Sequence, residues 1–206
     1  MVDNVAALVR LMVVTDDALV TGHDLVSLGR AVERGGASAI QLRLKRVSPR
    51  ELAAAGRRLL AAVTIPVLIN DRPDVALAVG AAGVHLGPDD LPVSLARRVT
   101  PPGFVIGASV GSADEATAAG GADYWGIGPW RVTTTKADAG DALGPEGFGR
   151  LVGLSGGRPC LAIGGVGPDD VARVRLAGGA GVAVAAGILG SDDVEAATRR
   201  YASAAG

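Results

Sequence analysis

The chain has 206 residues, 49% of them apolar, which suffices for one well-filled core and is short for two, so one domain over 1–206 is expected. Its 20 Lys and Arg stand against 21 Asp and Glu, and the net charge of −1 excludes a general attraction to nucleic acid or acidic membrane. No basic, cleavable leader is visible and the long uncharged stretch 176–190 falls short of a membrane span, so a cytoplasmic protein is expected.

Glycine, at 31 positions, is about twice as frequent as usual and follows no period, which marks many tight turns and therefore many short elements. The single cysteine, Cys160, lies in the apolar run Pro159-Cys160-Leu161-Ala162-Ile163 and reads as a small buried hydrophobe.

In chain order, Leu11-Met12-Val13-Val14-Thr15 reads as the first strand, closed by Asp16-Asp17. A helix follows over 24–33, with Leu25, Val26, Leu28, Ala31 and Val32 as its apolar stripe, and Gly35-Gly36 stops it. Ile40-Gln41-Leu42-Arg43-Leu44-Lys45 is the second strand. Ser48-Pro49-Arg50-Glu51 then starts a helix with an N-cap serine, a proline in the first turn and a glutamate three residues after the cap. Pro66-Val67-Leu68-Ile69 is the third strand, with Asn70-Asp71-Arg72 at its end and Pro73 opening the next helix. Gly83-Val84-His85-Leu86 is the fourth, followed by Gly87-Pro88-Asp89-Asp90 and a helix through Arg98. Phe104-Val105-Ile106-Gly107-Ala108 is the fifth, and Ser112-Ala113-Asp114-Glu115 repeats the capping-box pattern.

Residues 123–127 form the sixth strand. The stretch 128–144 is the one long connection, and a loop of that length in a compact domain is usually functional or disordered; Trp130-Arg131-Val132-Thr133-Thr134-Thr135-Lys136 argues against plain disorder. A helix over 146–152 leads to the seventh strand, 160–163, and Gly164-Gly165-Val166-Gly167. A helix over 168–176, the eighth strand, 182–185, and a final helix capped by Ser191 complete the chain. Glycines recur between helix and strand at Gly35-Gly36, Gly80, Gly120-Gly121 and Gly178-Gly179, where a left-handed residue is wanted. Eight strand-helix units fit a compact (β/α)8 barrel. A doubly wound sheet would carry a glycine fingerprint after the first strand, where Thr15-Asp16-Asp17 stands instead.

The second strand shows where the chemistry is. Alternation puts Gln41, Arg43 and Lys45 on one side and Ile40, Leu42 and Leu44 on the other. In a barrel covered by helices the polar side points inward, where two unpaired cations are costly unless something anionic binds. Gly164-Gly165 and Ala185-Ala186-Gly187 follow strands seven and eight, the usual place of a barrel phosphate site. Asp71 and Asp90 follow strands three and four, near Arg43, Lys45 and Lys136, and suggest Mg²⁺ bridging a diphosphate. Asp90 also reads as a helix cap, and Asp89 could exchange roles with it. No zinc spacing and no Ser-His-Asp nucleophile motif is present, and His23 reads as surface.

Taken together, Val13-Val14-Thr15-Asp16, Gln41-Leu42-Arg43-Leu44-Lys45, Ile69-Asn70-Asp71-Arg72, Gly83-Val84-His85-Leu86-Gly87, Gly128-Pro129 with Thr133-Thr134-Thr135-Lys136, and Ala162-Ile163-Gly164-Gly165 resemble the motifs of thiamine-phosphate synthase, in that family's order. The resemblance implies a single (β/α)8 barrel that joins hydroxymethylpyrimidine diphosphate to hydroxyethylthiazole phosphate with Mg²⁺. Its partners would be small-molecule substrates, with no nucleic acid or membrane, and homo-oligomerisation stays open.

Carried over by the resemblance, Gln41 and His85 face the pyrimidine, and Asp71 and Asp90 bind Mg²⁺. Arg43, Lys45, Asn70, Ser109 and Lys136 hold diphosphate, with Arg43, Lys45, Ser109 and Lys136 as the catalytic set. Thr133, Thr135, Gly165 and the backbone at Ala185-Ala186 receive the thiazole phosphate. Leu42, Leu44 and Thr134 complete the motif stretches expected against substrate. Pro88, Gly111 and Ala186 depart from the family's usual Gln, His and Ser. The nearest enzymatic alternative is a thiazole phosphate tautomerase, against which Arg43, Lys45, Asn70, Asp71 and Lys136 argue, and Pro88 with Gly111 keeps alive a catalytically silent binder of phosphate ligands.

Overall fold

A computed structural model describes residues 4–132 and 141–205. Eight parallel strands close into a barrel in sequence order, β1 pairing with both β2 and β8. The chain runs α1 (Val5–Leu8), β1 (Leu11–Val14), α2 (Asp17–Val20), α3 (Leu25–Arg34), β2 (Ala39–Leu42), α4 (Pro49–Leu60), β3 (Val67–Asn70), α5 (Pro73–Val79), β4 (Gly83–Leu86) and α6 (Val93–Val99). It continues through β5 (Val105–Val110), α7 (Ala113–Ala118), β6 (Tyr124–Ile127), α8 (Gly144–Gly153), β7 (Cys160–Ile163), a 3-10 turn (Pro168–Asp170), α9 (Val171–Leu176), β8 (Gly181–Val184), α10 (Ala186–Leu189) and α11 (Val194–Ala205). Among the described residues no helix is long and apolar enough to cross a membrane.

Strand alternation divides the core in two. Leu11, Val13, Ile40, Leu42, Ile69, Val84, Ile106, Trp125 and Val182 pack outward under the helices. Met12, Val14, Ala39, Leu68, Val105, Tyr124, Leu161 and Ala183 fill the lumen, with Leu8 and Val9 from the N-terminal segment packed against them. Both strand faces are buried, which is why the strands read as nearly continuous apolar runs. Cys160 belongs to the outward layer, where burial pushes its thiol pKa up, as suits a core hydrophobe.

Local signals hold at most boundaries. Ser48 and Glu51 form both halves of a capping box on α4. Gly36, Gly80 and Gly178 take positive φ, whereas no positive φ is recorded at Gly120 or Gly121, so that junction turns without a left-handed residue. Two caps differ from expectation. Glu115 Oε2 accepts from Gly111 N–H at 2.5 Å rather than closing a box with Ser112, and Asp193 Oδ1, not Ser191, takes the Ala196 N–H ahead of α11. The short helices α1, α2 and α10 were not expected, because four residues carry too little periodicity to register.

Close strand approach makes Gly83 irreplaceable: a Cβ there would overlap the Val105 carbonyl. Gly83→Ala is expected to lower the unfolding free energy by about 1–3 kcal/mol or more. Gly153→Ala, at a helical site with nothing within 4 Å, is expected to be neutral or stabilising by up to about 1 kcal/mol. Denaturant titration of both variants checks the contrast.

Candidate active site

The C-terminal strand ends surround a cavity of about 430 Å³. Gln41, Asn70, His85 and Ser109, on β2 to β5, contribute the polar part of its wall, and Asp71, Asp89 and Asp90 stand in the loops above. Gly164, Gly165, Ala185 and Ala186 line the opposite side.

β2 ends at Leu42, earlier than expected, yet Arg43 and Lys45 still line the same cavity as Gln41. Their loop is held by the turn after β1. Thr15 Oγ1 accepts from Arg43 N–H at 2.8 Å, and Asp17 accepts from Lys45 N–H at 2.9 Å and Arg46 N–H at 3.1 Å. Arg43 Nη1 meets Asp16 Oδ2 at 2.8 Å and Lys45 Nζ meets Asp71 Oδ2 at 3.2 Å. The cations expected to be unpaired are therefore each matched by a carboxylate. Asp16, the partner of Arg43, was not expected at the site, although its place at the end of a neighbouring strand is a signal.

Asp71 is the one non-glycine residue with positive φ (64°) among the described residues, a conformation that Asp tolerates better than most. Asp90 does not cap α6: Pro92 stands at the cap, and Asp90 Oδ2 accepts from Gly87 N–H at 2.6 Å instead. There Asp71 and Asp90 interact directly. Burial first, then the hydrogen bond and charge of Asp71, push the Asp90 carboxyl up to about 6 against the pull of the Gly87 N–H and of Lys45. A carboxylate pair that raises one member's pKa is short of positive charge, and that shortage is what a divalent cation supplies.

Among the described residues no three His, Cys, Asp or Glu side chains gather as a metal cluster. Two carboxylates facing open cavity nevertheless fit Mg²⁺, which takes one or two carboxylates and completes its shell with water and phosphate oxygens. Asp89 is exposed at the rim of the cavity.

The long connection is anchored where it starts. Trp130 is buried with its ring in an edge contact with Phe148, its backbone N–H donates to Ile163 O, and the Arg131 backbone N–H donates to Gly164 O. The Arg131 guanidinium grips Asp170 with both nitrogens and reaches Gly165 O at 3.3 Å. Burial raises the Asp170 carboxyl, but Gly167 N–H and Arg131 outweigh it and hold it below the usual range. Neither Arg131 nor Asp170 was legible as a site residue, because they meet only across two loops. Thr133, Thr134, Thr135 and Lys136 lie outside the described residues.

Leu42, the last residue of β2, is fully buried in the outward layer, Leu44 packs against that layer, and neither lines the cavity. At Gly111, where the family's usual side chain is missing, a Cβ would lie 3.1 Å from Gly128 O. Pro88 stands exposed on the rim.

A family model described as Thiamine monophosphate synthase matches residues 11–188. The chain belongs to the thiamine-phosphate synthase family. It is 44% identical over 197 residues to a Thiamine-phosphate synthase of Methanospirillum hungatei, covering 93% of this chain and 95% of the relative. A Thiamine-phosphate synthase of Methanoculleus marisnigri is 45% identical, with 92% of each chain covered. The solved thiamine phosphate pyrophosphorylase from Pyrococcus furiosus superposes with a TM-score of 0.86 at 36% identity, covering 98% of both chains. A 3-hexulose-6-phosphate synthase shares the fold, with a TM-score of 0.71 at 19% identity over 95% of this chain and 99% of its own. These relatives favour a thiamine-phosphate synthase over the tautomerase and silent-binder alternatives.

The raised Asp90 pKa has a consequence for stability in the metal-free protein. The folded state binds a proton more readily than the unfolded state, so this group's contribution to stability falls as pH rises from about 4 through about 6. With chelator present, Asp90→Asn is expected to be the more stable protein at pH 7, by on the order of 1 kcal/mol after solvent screening, and to lose that advantage below about pH 4. Denaturant melts at several pH values check the crossover.

Proposed function

We propose that this chain joins 4-amino-2-methyl-5-hydroxymethylpyrimidine diphosphate to 4-methyl-5-(2-hydroxyethyl)thiazole phosphate, giving thiamine phosphate and diphosphate, in the cytoplasm. The observation that carries the proposal is the pairing of Asp71 with Asp90 beside Lys45 and Arg43 at the barrel mouth. A charge-deficient carboxylate pair next to cations suits a metal-bound diphosphate better than a simple phosphate.

The reaction breaks the carbon–oxygen bond to diphosphate, and the bonding electrons leave with the diphosphate oxygen. The pyrimidine's own amino group supports the carbon left electron-poor, which the thiazole nitrogen then attacks, so no enzyme nucleophile is required. The chain's task is to hold both partners and to meet the charge gathering on the leaving oxygens. Arg43 and Lys45 serve that charge, with Asn70 and Ser109 as neutral donors from the cavity wall and Lys136 as a further cation. Mg²⁺, held by Asp71 and Asp90, would neutralise diphosphate oxygens when bound. Gln41 and His85, both buried in the floor, orient the pyrimidine. The Gly164-Gly165 backbone and the first-turn N–H groups at Ala186 suit the thiazole phosphate, with Thr133 and Thr135 completing that end.

Incubation of the purified chain with both substrates and Mg²⁺ is expected to yield thiamine phosphate, detected chromatographically. Chelator should abolish turnover and added Mg²⁺ restore it. Asp71→Asn should mimic the chelator, whereas Asp89→Asn should retain most activity. Full turnover in chelator would remove the metal assignment, and greater sensitivity at Asp89 would move the second ligand to that residue.

A further inference from the structure

Below the cavity a line of polar groups runs inward from its wall. The Gln41 side chain hydrogen-bonds Tyr124, the Tyr124 hydroxyl lies 2.9 Å from His85 Nδ1, and His85 Nε2 lies 3.0 Å from Ser109 Oγ. Ser109 faces the cavity, whereas Tyr124 has no exposed surface and does not line it. One glycine makes the line possible. His85, Gly107 and Tyr124 stand in register across β4, β5 and β6, and a Cβ at Gly107 would overlap the Tyr124 ring. Without it the two rings meet, their centroids 5.5 Å apart.

The direction of the protons follows from what each group can do. Gln41 turns its amide nitrogen into this corner, with Nε2 3.7 Å from Met12 Sδ, so it donates to the phenol oxygen. Burial holds the phenol pKa far above its ordinary value, so Tyr124 keeps its own proton to donate. Among the described residues two acceptors are in reach: Met12 Sδ at 3.9 Å and His85 Nδ1 at 2.9 Å. A ring nitrogen at the shorter distance is much the stronger acceptor than a thioether. Tyr124 therefore donates to Nδ1, which places the proton of neutral imidazole on Nε2. Nε2–H donates to Ser109 Oγ, and the serine hydroxyl hydrogen is left to point into the cavity.

We propose that Tyr124 is a positioning residue which, through the tautomer of His85, fixes Ser109 as a hydrogen-bond donor to an anionic oxygen of the bound substrate. With the opposite tautomer Ser109 would donate back to His85 and present lone pairs to the anion. That the anion is a diphosphate rests on the function proposed above; the tautomer is a property of the free protein.

Two-bond proton–nitrogen correlation spectra of the full chain labelled with ¹⁵N-histidine read the tautomer directly. His23→Gln separates the signals of the two histidines. The proton is expected on Nε2 of His85 in the wild type and shared between both nitrogens in Tyr124→Phe. Calorimetric binding of inorganic diphosphate with Mg²⁺ supplies the second readout, independent of turnover. Tyr124→Phe is expected to weaken it about tenfold or more, by analogy with residues that orient a ligating group, while binding of thiazole phosphate stays unchanged. In a Ser109→Ala background the same change is expected to cost about twofold or less, because the two residues act in one line. A proton on Nδ1 in the wild type overturns the proposal, as does an equal loss with and without Ser109. A wild type that binds diphosphate with this coupling but makes no thiamine phosphate would sink the reaction while upholding the relay.

Discussion

Inward side chains of a closed parallel barrel are cut off from water by the wall, so every polar group placed there must find its partners inside the lumen. The chain meets this constraint by grading the lumen along the barrel axis. Met12, Ala39, Leu68, Val105 and Leu161 fill it with apolar volume. Gln41, Asn70, His85 and Ser109 appear only toward the C-terminal strand ends, where they border the cavity. Tyr124 joins the two regions, its ring in the apolar plug and its hydroxyl on His85. Such a graded lumen is rigid, because moving any one of these groups would leave another buried and unpaired.

Charge at the mouth obeys the same requirement with a different outcome. Arg43 and Lys45 are each matched by a carboxylate, Asp16 and Asp71, but Asp90 is pressed against Asp71 with no cation in contact with it among the described side chains. The site's own side chains are thus held in place yet short of positive charge. Thr15 and Asp17 fix the backbone at Arg43, Lys45 and Arg46, so the loop that carries these cations is held in place at the barrel mouth. On the far side the Arg131–Asp170 grip ties the start of the long connection to the Gly164-Gly165 turn, so two loops from different strands share one geometry.

Much of this was legible in the chain itself. Apolar runs of four to six residues, separated by helices with proline, serine and glycine punctuation, mark eight strand-helix units, because each signal is local and depends on backbone conformation within a few residues. Alternation put Gln41, Arg43 and Lys45 toward one side and Leu42 and Leu44 toward the other, and the cavity is lined by the first three and not by the leucines.

Only closure of the barrel decided the remainder. Asp16 reaches Arg43 across 27 residues of chain, Tyr124 reaches His85 across 39, and Arg131 reaches Asp170 across 39, and none of these spacings carries a local signal. Whether Gly107 was a turn, a bulge or a gap for a ring could not be read from its neighbours. It became a gap because strand register set it between His85 and Tyr124. The sequence determined the elements, their order and the faces they present, since those depend on backbone geometry and alternation. Which charges neutralise one another, and which hydroxyl meets which ring nitrogen, depends on distances that exist only once the eighth strand has paired with the first.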